Sequence, residues 1–149
     1  METTLIILKP DAVQRGLIGR VLSRFEDKGL QIVGAKFMMV PEELAQRHYA
    51  EHAERPFYAG LIQFVTSSPV LVLALRGHEA IGVCRKLIGS TNGLQAEAGT
   101  VRGDWSMSPS YNLVHGSDSP ESAERELAMW FEKGELLDYR RTIDVWAYA

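Results

Sequence analysis

Only one cysteine, Cys84, occurs in the 149 residues, so no disulfide can close within the chain. That usage suits a reducing, cytoplasmic compartment. Cys84 falls among apolar helix positions, where a thiol is an inert filler. Long apolar runs are missing too. The longest, VLVLAL at 70–75, is far too short to span a bilayer, and the N-terminal METTLIILKPD reaches four consecutive apolar residues before a charge. No signal peptide, anchor or membrane partner is expected. Positive charge is not in excess. With a net charge of −3, nothing global attracts nucleic acid or anionic lipid, and an anionic ligand must be held by a local cluster of cations. Both common glycine cradles for phosphate, GxxxxGK[ST] and GxGxxG, are absent. The apolar runs TLIILK and VLVLAL carry no aromatic residue, which excludes a base-stacking sheet of the RNA-recognition type.

What is present is an ordinary globule, 46% hydrophobic and 23% charged. Its length suits one domain over residues 1–149, large enough to bury roughly 70% of the unfolded chain's surface. Strands are predicted at 4–9, 30–40, 69–75 and 113–117. Helices are predicted at 16–29, 41–52, 55–67, 78–89 and 119–134. Pro41 should open the second helix and Gly29 and Gly134 should stop two others; Ser119 caps the last, with Pro120 at its first position. Residues 89–112 hold no clear period and read as a long loop, which in a compact domain is usually functional. The apolar tail LLDYRRTIDVWAYA should pack on something. The order β-α-β-α-α-β-α-loop-β-α suggests an α+β, ferredoxin-like split β-α-β sandwich: four antiparallel strands with helices on one face. The run 30–40 is apolar on both faces, through Ile32, Val33, Phe37, Met38 and Met39, which suggests an edge covered by a partner.

Three features bear on chemistry. HYAEH at 48–52 matches the inverted zinc-peptidase signature, with His48 and His52 at helical spacing and Glu126 as a third ligand. Lys9, Arg85 and Arg102 each stand beside structural punctuation, and together they would supply the local positive site a polyphosphate needs. His115 ends a strand. It is either a structural histidine or a nucleophile; the second role needs a neutral ring with one nitrogen free and the other held. Glu126, about two turns into the next helix, can fold back to hold it. Residues 118–138 carry seven acids against Arg125 and Lys133, and most should form a solvated face.

NLVHGSD resembles the NxxHGSD signature of nucleoside diphosphate kinases. The likeness extends through ILKPDAVQRGLIG, HYAEHAERPFY, GTVRGDW and the tail ending in Trp-x-Tyr, over the whole chain and almost without gaps. The resemblance implies an enzyme that moves the terminal phosphate of a nucleoside triphosphate to a nucleoside diphosphate, ping-pong through a phosphohistidine. His115 matches the phosphorylated residue. Glu126 matches the carboxylate that orients it, and Ser117 and Tyr49 match its polar neighbours. Lys9 matches the lysine on the transferred phosphoryl and the sugar; Arg85, Thr91 and Arg102 match the residues holding the diphosphate. Asn112 matches the residue on the ribose 3′-hydroxyl. Phe57 matches the aromatic on which the base stacks, with Leu61 lining that slot. Asp118 matches an aspartate supporting the site. Mg²⁺ would be bridged by the phosphates.

The family implies homo-oligomers built from dimers paired through the strand at 30–40. Trp146 and Tyr148 in the tail favour a hexamer over a tetramer. The sequence departs from the family at Gly93 and Ala98, where many members have proline, at Trp105 in place of Phe or Tyr, and over SPSYN at 108–112. None of these is a matched catalytic position. The rival readings are a zinc peptidase using His48 and His52, and a non-catalytic nucleotide-binding protein on the same fold.

Overall fold

In the computed structural model, residues 1–148 are described. The elements run β1 (Glu2–Leu8), α1 (Pro10–Gln14), α2 (Ile18–Lys28), β2 (Gln31–Met38), α3 (Glu42–His48), α4 (Tyr58–Val65), β3 (Val70–Gly77), α5 (Ala80–Ile88), α6 (Val101–Trp105), β4 (Val114–Gly116), α7 (Pro120–Trp130) and α8 (Asp144–Ala147). The four strands form one sheet in the order β2-β3-β1-β4, antiparallel at every junction. The crossover from β1 to β2 leaves room for exactly one strand, and β3 fills it. This is the α+β split β-α-β arrangement that the element order predicts.

Helices cover both faces of the sheet, not one. On one face Ile6, Leu8, Leu73 and Leu75 pack under residues of α2, α5 and α6. On the other, Leu5, Ile7, Val72 and Ala74 meet residues of α3, α4 and α7. The reason is in the strands: TLIILK and VLVLAL are apolar at consecutive positions, so neither face tolerates water.

Element ends differ from the sequence reading where tertiary contacts override local signals. Lys9 lies outside β1 and caps α1, a short helix the sequence reading missed. Pro41 is the extended residue before α3 rather than its first residue. That helix ends at His48, and Ala50–His52 form a separate 3-10 turn. The 89–112 loop contains α6, capped by Thr100 accepting from the Gly103 N–H. Gly29, at φ 107°, does close α2 as expected. Gly134 does not close α7. The helix stops at Trp130, where Phe131 turns extended and buries its ring, and Lys36 Nζ donates to the Trp130 carbonyl at 2.8 Å.

β2 is an edge strand, with Phe37 61% exposed and Met39, the residue after the strand, 53% exposed. Part of its rim is taken by the chain itself: Leu137 N–H donates to Val33 O at 2.8 Å and the Tyr139 hydroxyl to Ile32 O at 2.6 Å. Further along the tail, Arg141 and the Tyr148 hydroxyl both donate to Gly29 O. Trp146, in contrast, is 88% exposed.

Candidate active site

β4 places His115 opposite Ile7 of the central strand β1. Gly116 next to it lets β4 lie close to α5, because a Cβ there would stand 2.8 Å from Ile88 Cδ1. Arg85 of α5 then reaches the Gly116 carbonyl at 3.2 Å. Ser119 caps α7, which runs back beside the strand and returns Glu126 to the histidine. Of the seven acids in 118–138, Glu126 alone is buried.

Glu126 Oε1 accepts from the Ser117 hydroxyl at 2.6 Å and lies 2.9 Å from His115 Nε2. Burial pushes the Glu126 carboxyl up, but the bonds from His115 and Ser117 outweigh it and hold the group down at about 2. A carboxylate accepts from Nε2 only when that nitrogen carries hydrogen. In the neutral ring this leaves the Nδ1 lone pair free. Tyr49 lines the same cavity of about 180 Å³, with Asp118 on its rim. Burial, and then the Glu126 charge, push its phenol up to about 12, so it stays neutral.

The cations converge on the segment before His115. Lys9 Nζ donates to Asn112 Oδ1 at 2.8 Å, and Asn112 Nδ2 donates to the Thr91 carbonyl at 2.9 Å. Arg102 is 3% exposed, and its guanidinium donates to the carbonyls of Asn112, Gly89 and Val114. Three of its five N–H donors are thus committed, and two remain. Burial first, and then the neighbouring Arg102 charge, lower Lys9 to about 8. Half-buried Lys9 beside buried Arg102, with exposed Arg85 near, favours an anion between them.

Phe57 and Leu61 lie in a separate cleft of about 690 Å³, lined along α4 and by Phe64, Ser110 and Tyr111, with no charged side chain. Tyr111 and Phe64 stack with ring centroids 4.7 Å apart. Two of the sequence departures have clear places. Gly93 is buried where any Cβ would collide with Ser106, and Trp105 carries the Arg24 guanidinium 4.5 Å from its ring centroid.

The zinc reading of HYAEH fails. His48 is buried, whereas His52 sits on the 3-10 turn beside Phe57 and Glu51. Among the described residues, the group that brings metal-type ligands together is His48, His115 and Glu126. His48 cannot serve a metal there. Its Nδ1 accepts from Trp130 Nε1 at 3.0 Å, and indole is only a donor, so the ring hydrogen must sit on Nε2. Burial and the adjacent His115 lower His48 to about 3, keeping it neutral. Sequence reasoning missed this part: His48 packs edge-on against the His115 ring, centroids 4.6 Å apart, with Trp130 behind it. Nothing in the local pattern links position 48 to position 130. Cys84 is inert as expected, its thiol pushed up by burial to about 12.

A family model described as Nucleoside diphosphate kinase matches residues 2–136. The chain is 52% identical to the nucleoside diphosphate kinase of Staphylococcus epidermidis over 148 residues, covering 99% of each. It is equally similar, with the same coverage, to that of Gloeobacter violaceus. The structure of a halophilic nucleoside diphosphate kinase from Halobacterium salinarum in complex with CDP matches with a TM-score of 0.97 at 46% identity, over 99% of both chains. With the fold, the signature and the full-length likeness agreeing, the chain belongs to the nucleoside diphosphate kinase family.

Proposed function

We propose that His115 Nδ1 is the nucleophile through which this chain transfers the terminal phosphate of a nucleoside triphosphate to a nucleoside diphosphate. The observation that carries this is the Ser117–Glu126–His115 chain, which holds Nε2–H and leaves Nδ1 open. The Nδ1 lone pair attacks the γ-phosphorus, the bond to the bridging oxygen breaks, and the diphosphate leaves with that electron pair. The phosphorylated ring carries positive charge, which the Glu126 carboxylate stabilises. A β-phosphate oxygen of the second nucleotide then attacks, and the P–N bond returns its pair to Nδ1. A covalent intermediate lets one site serve donor and acceptor in turn. Lys9, Arg85 and Arg102 neutralise the phosphates, which is most of what phosphoryl transfer asks of a protein. Thr91 supports the diphosphate, Asn112 takes the sugar hydroxyl, Tyr49 supplies a neutral donor and Asp118 supports the rim. The base stacks on Phe57 with Leu61 beside it, and a cleft without charge accepts any base.

The divalent ion of this reading is Mg²⁺. It wants a shell of hard oxygens, and among the described residues no group of three or more carboxylates converges. An ion held by the nucleotide phosphates would add charge neutralisation beside Lys9, Arg85 and Arg102. The protein works as one domain over 1–149, in the cytoplasm, without nucleic acid or membrane. Exposed Phe37 and Met39 on the β2 edge, with Trp146, support a homo-oligomer, a hexamer ahead of a tetramer. No helix among the described residues is long and apolar enough to cross a membrane.

The test is incubation with γ-labelled ATP and Mg²⁺, followed by a chase with GDP. Acid-labile label on the protein that GDP discharges is expected. Protein that binds nucleotide but takes no label would be the non-catalytic alternative. Label that GDP cannot remove would refute the ping-pong route.

A further inference from the structure

Two residues before His115 the backbone takes an unusual path. Leu113 is fully buried and has φ 73°, a region that L side chains rarely enter. The Val114 N–H bonds back to the Asn112 carbonyl at 2.8 Å. An i to i+2 bond across a residue of positive φ is the strained form of γ-turn, and it persists only where its surroundings over-determine it. The turn joins Asn112 to β4, so its geometry sets both the side chain assigned to the sugar and the strand that carries His115.

The grip comes from Lys9-Pro10-Asp11. The Lys9 N–H donates to the Leu113 carbonyl at 2.8 Å, and Asp11 Oδ2 accepts from the Leu113 N–H at 3.0 Å. Both polar groups of the strained residue are thus held from the start of α1. Asp11 Oδ1 is buried and has no hydrogen-bond partner. An acid that only capped its own helix would not need to bond a residue 102 positions away.

We propose that Asp11 is a positioning residue for phosphoryl transfer, holding the Leu113 γ-turn so that Asn112 and His115 face one phosphate. This rests on His115 being the nucleophile. Asp11 has a second effect through its charge. Lys9 is lowered by burial and by Arg102 of α6, and Asp11 opposes both. Arg102 is itself faced by Arg85 of α5 and by Asp11. His48 of α3 feels the Lys9 charge but stays neutral. Asp11 is the carboxylate that opposes the lowering of both Lys9 and Arg102.

Two variants separate the effects. Asp11→Asn keeps a carbonyl oxygen for the Leu113 N–H and removes the charge; Asp11→Ala removes both. Single-turnover labelling of folded protein by γ-labelled ATP is measured across pH. Asp11→Ala is expected to label about 10–100-fold more slowly, as for a misplaced reacting group, and Asp11→Asn within about threefold of wild type at pH 7. The alkaline limb of kcat/KM, which falls as Lys9 loses its proton, should move down by about 0.5 or more in Asp11→Asn. Equal losses in both variants with an unmoved limb would mean Asp11 is merely structural. Wild-type rates and limb in both would overturn the proposal as well. If Asp11→Ala does not fold, Asp11→Glu takes its place, keeping the charge and displacing the acceptor: slower labelling with an unmoved limb is expected, and a wild-type rate overturns the positioning role. Wild-type protein that takes no label refutes the nucleophile assignment instead, which keeps the two failures distinct.

Discussion

His115→Gln is expected to remove transfer by at least about 10⁴-fold, the scale of losing a covalent nucleophile. Glutamine can still donate to Glu126 Oε1, where His115 Nε2 now stands at 2.9 Å. It lacks a second nitrogen with a lone pair. The pocket therefore keeps its carboxylate partner and loses the attacking atom. His115 is partly exposed, so stability should change by about 1 kcal/mol or less. Acid-labile labelling should vanish while nucleotide affinity, measured by calorimetry, stays within a few-fold of wild type. Persistent, GDP-dischargeable label on His115→Gln would move the nucleophile elsewhere and sink the assignment. His48, with Nδ1 blocked by Trp130, is a poor substitute.

Arg102→Ala should have the largest effect on stability. The side chain is 3% exposed and joins three carbonyls from separate parts of the chain: Gly89 after α5, Asn112 before the turn, and Val114 in β4. Removing it leaves buried acceptors without donors. A loss of about 3–5 kcal/mol is expected, which at this chain length lowers Tm by about 6–20 °C. Lysine should not rescue it, because one ammonium cannot match three carbonyls met by a planar fork. ADP should raise the Tm of wild type and barely that of the variant, since the two remaining guanidinium donors are assigned to phosphate. A fall of under about 1 kcal/mol, read from urea unfolding, would show that the loop is held by other contacts.

The strand order was legible because alternating element types leave few topologies, and TLIILK and VLVLAL declare buried strands by composition. The same runs, apolar at consecutive positions, already imply cover on both faces; reading the helices as a single layer overlooks that. α6 was hidden because VRGDW has too few residues to show a period, and its Thr100 cap becomes visible only in three dimensions. Gly134 misled because Phe131 and Lys36 end α7 earlier through contacts with β2. At the site, the signature around His115 and the return of Glu126 could be read from one stretch. The His48–Trp130 bond spans 82 positions and the Asp11–Leu113 bond 102, and no local pattern encodes either. For Asp11 a signal did exist: it sits inside the ILKPDAVQRGLIG motif, beside a lysine already assigned.

The uncharged lining of the α4 cleft matters beyond the single molecule. A base lodged there, as proposed, would meet rings, a leucine, hydroxyls and the Gln63 amide, and no charge that selects purine over pyrimidine. The bond broken in the donor and the bond made in the product are the same phosphoanhydride, so the exchange has almost no preferred direction of its own. A catalyst indifferent to the base can then impose no ratio. It equalises the triphosphate-to-diphosphate balance of every nucleotide it meets, and whichever pool is recharged elsewhere sets the level for the rest.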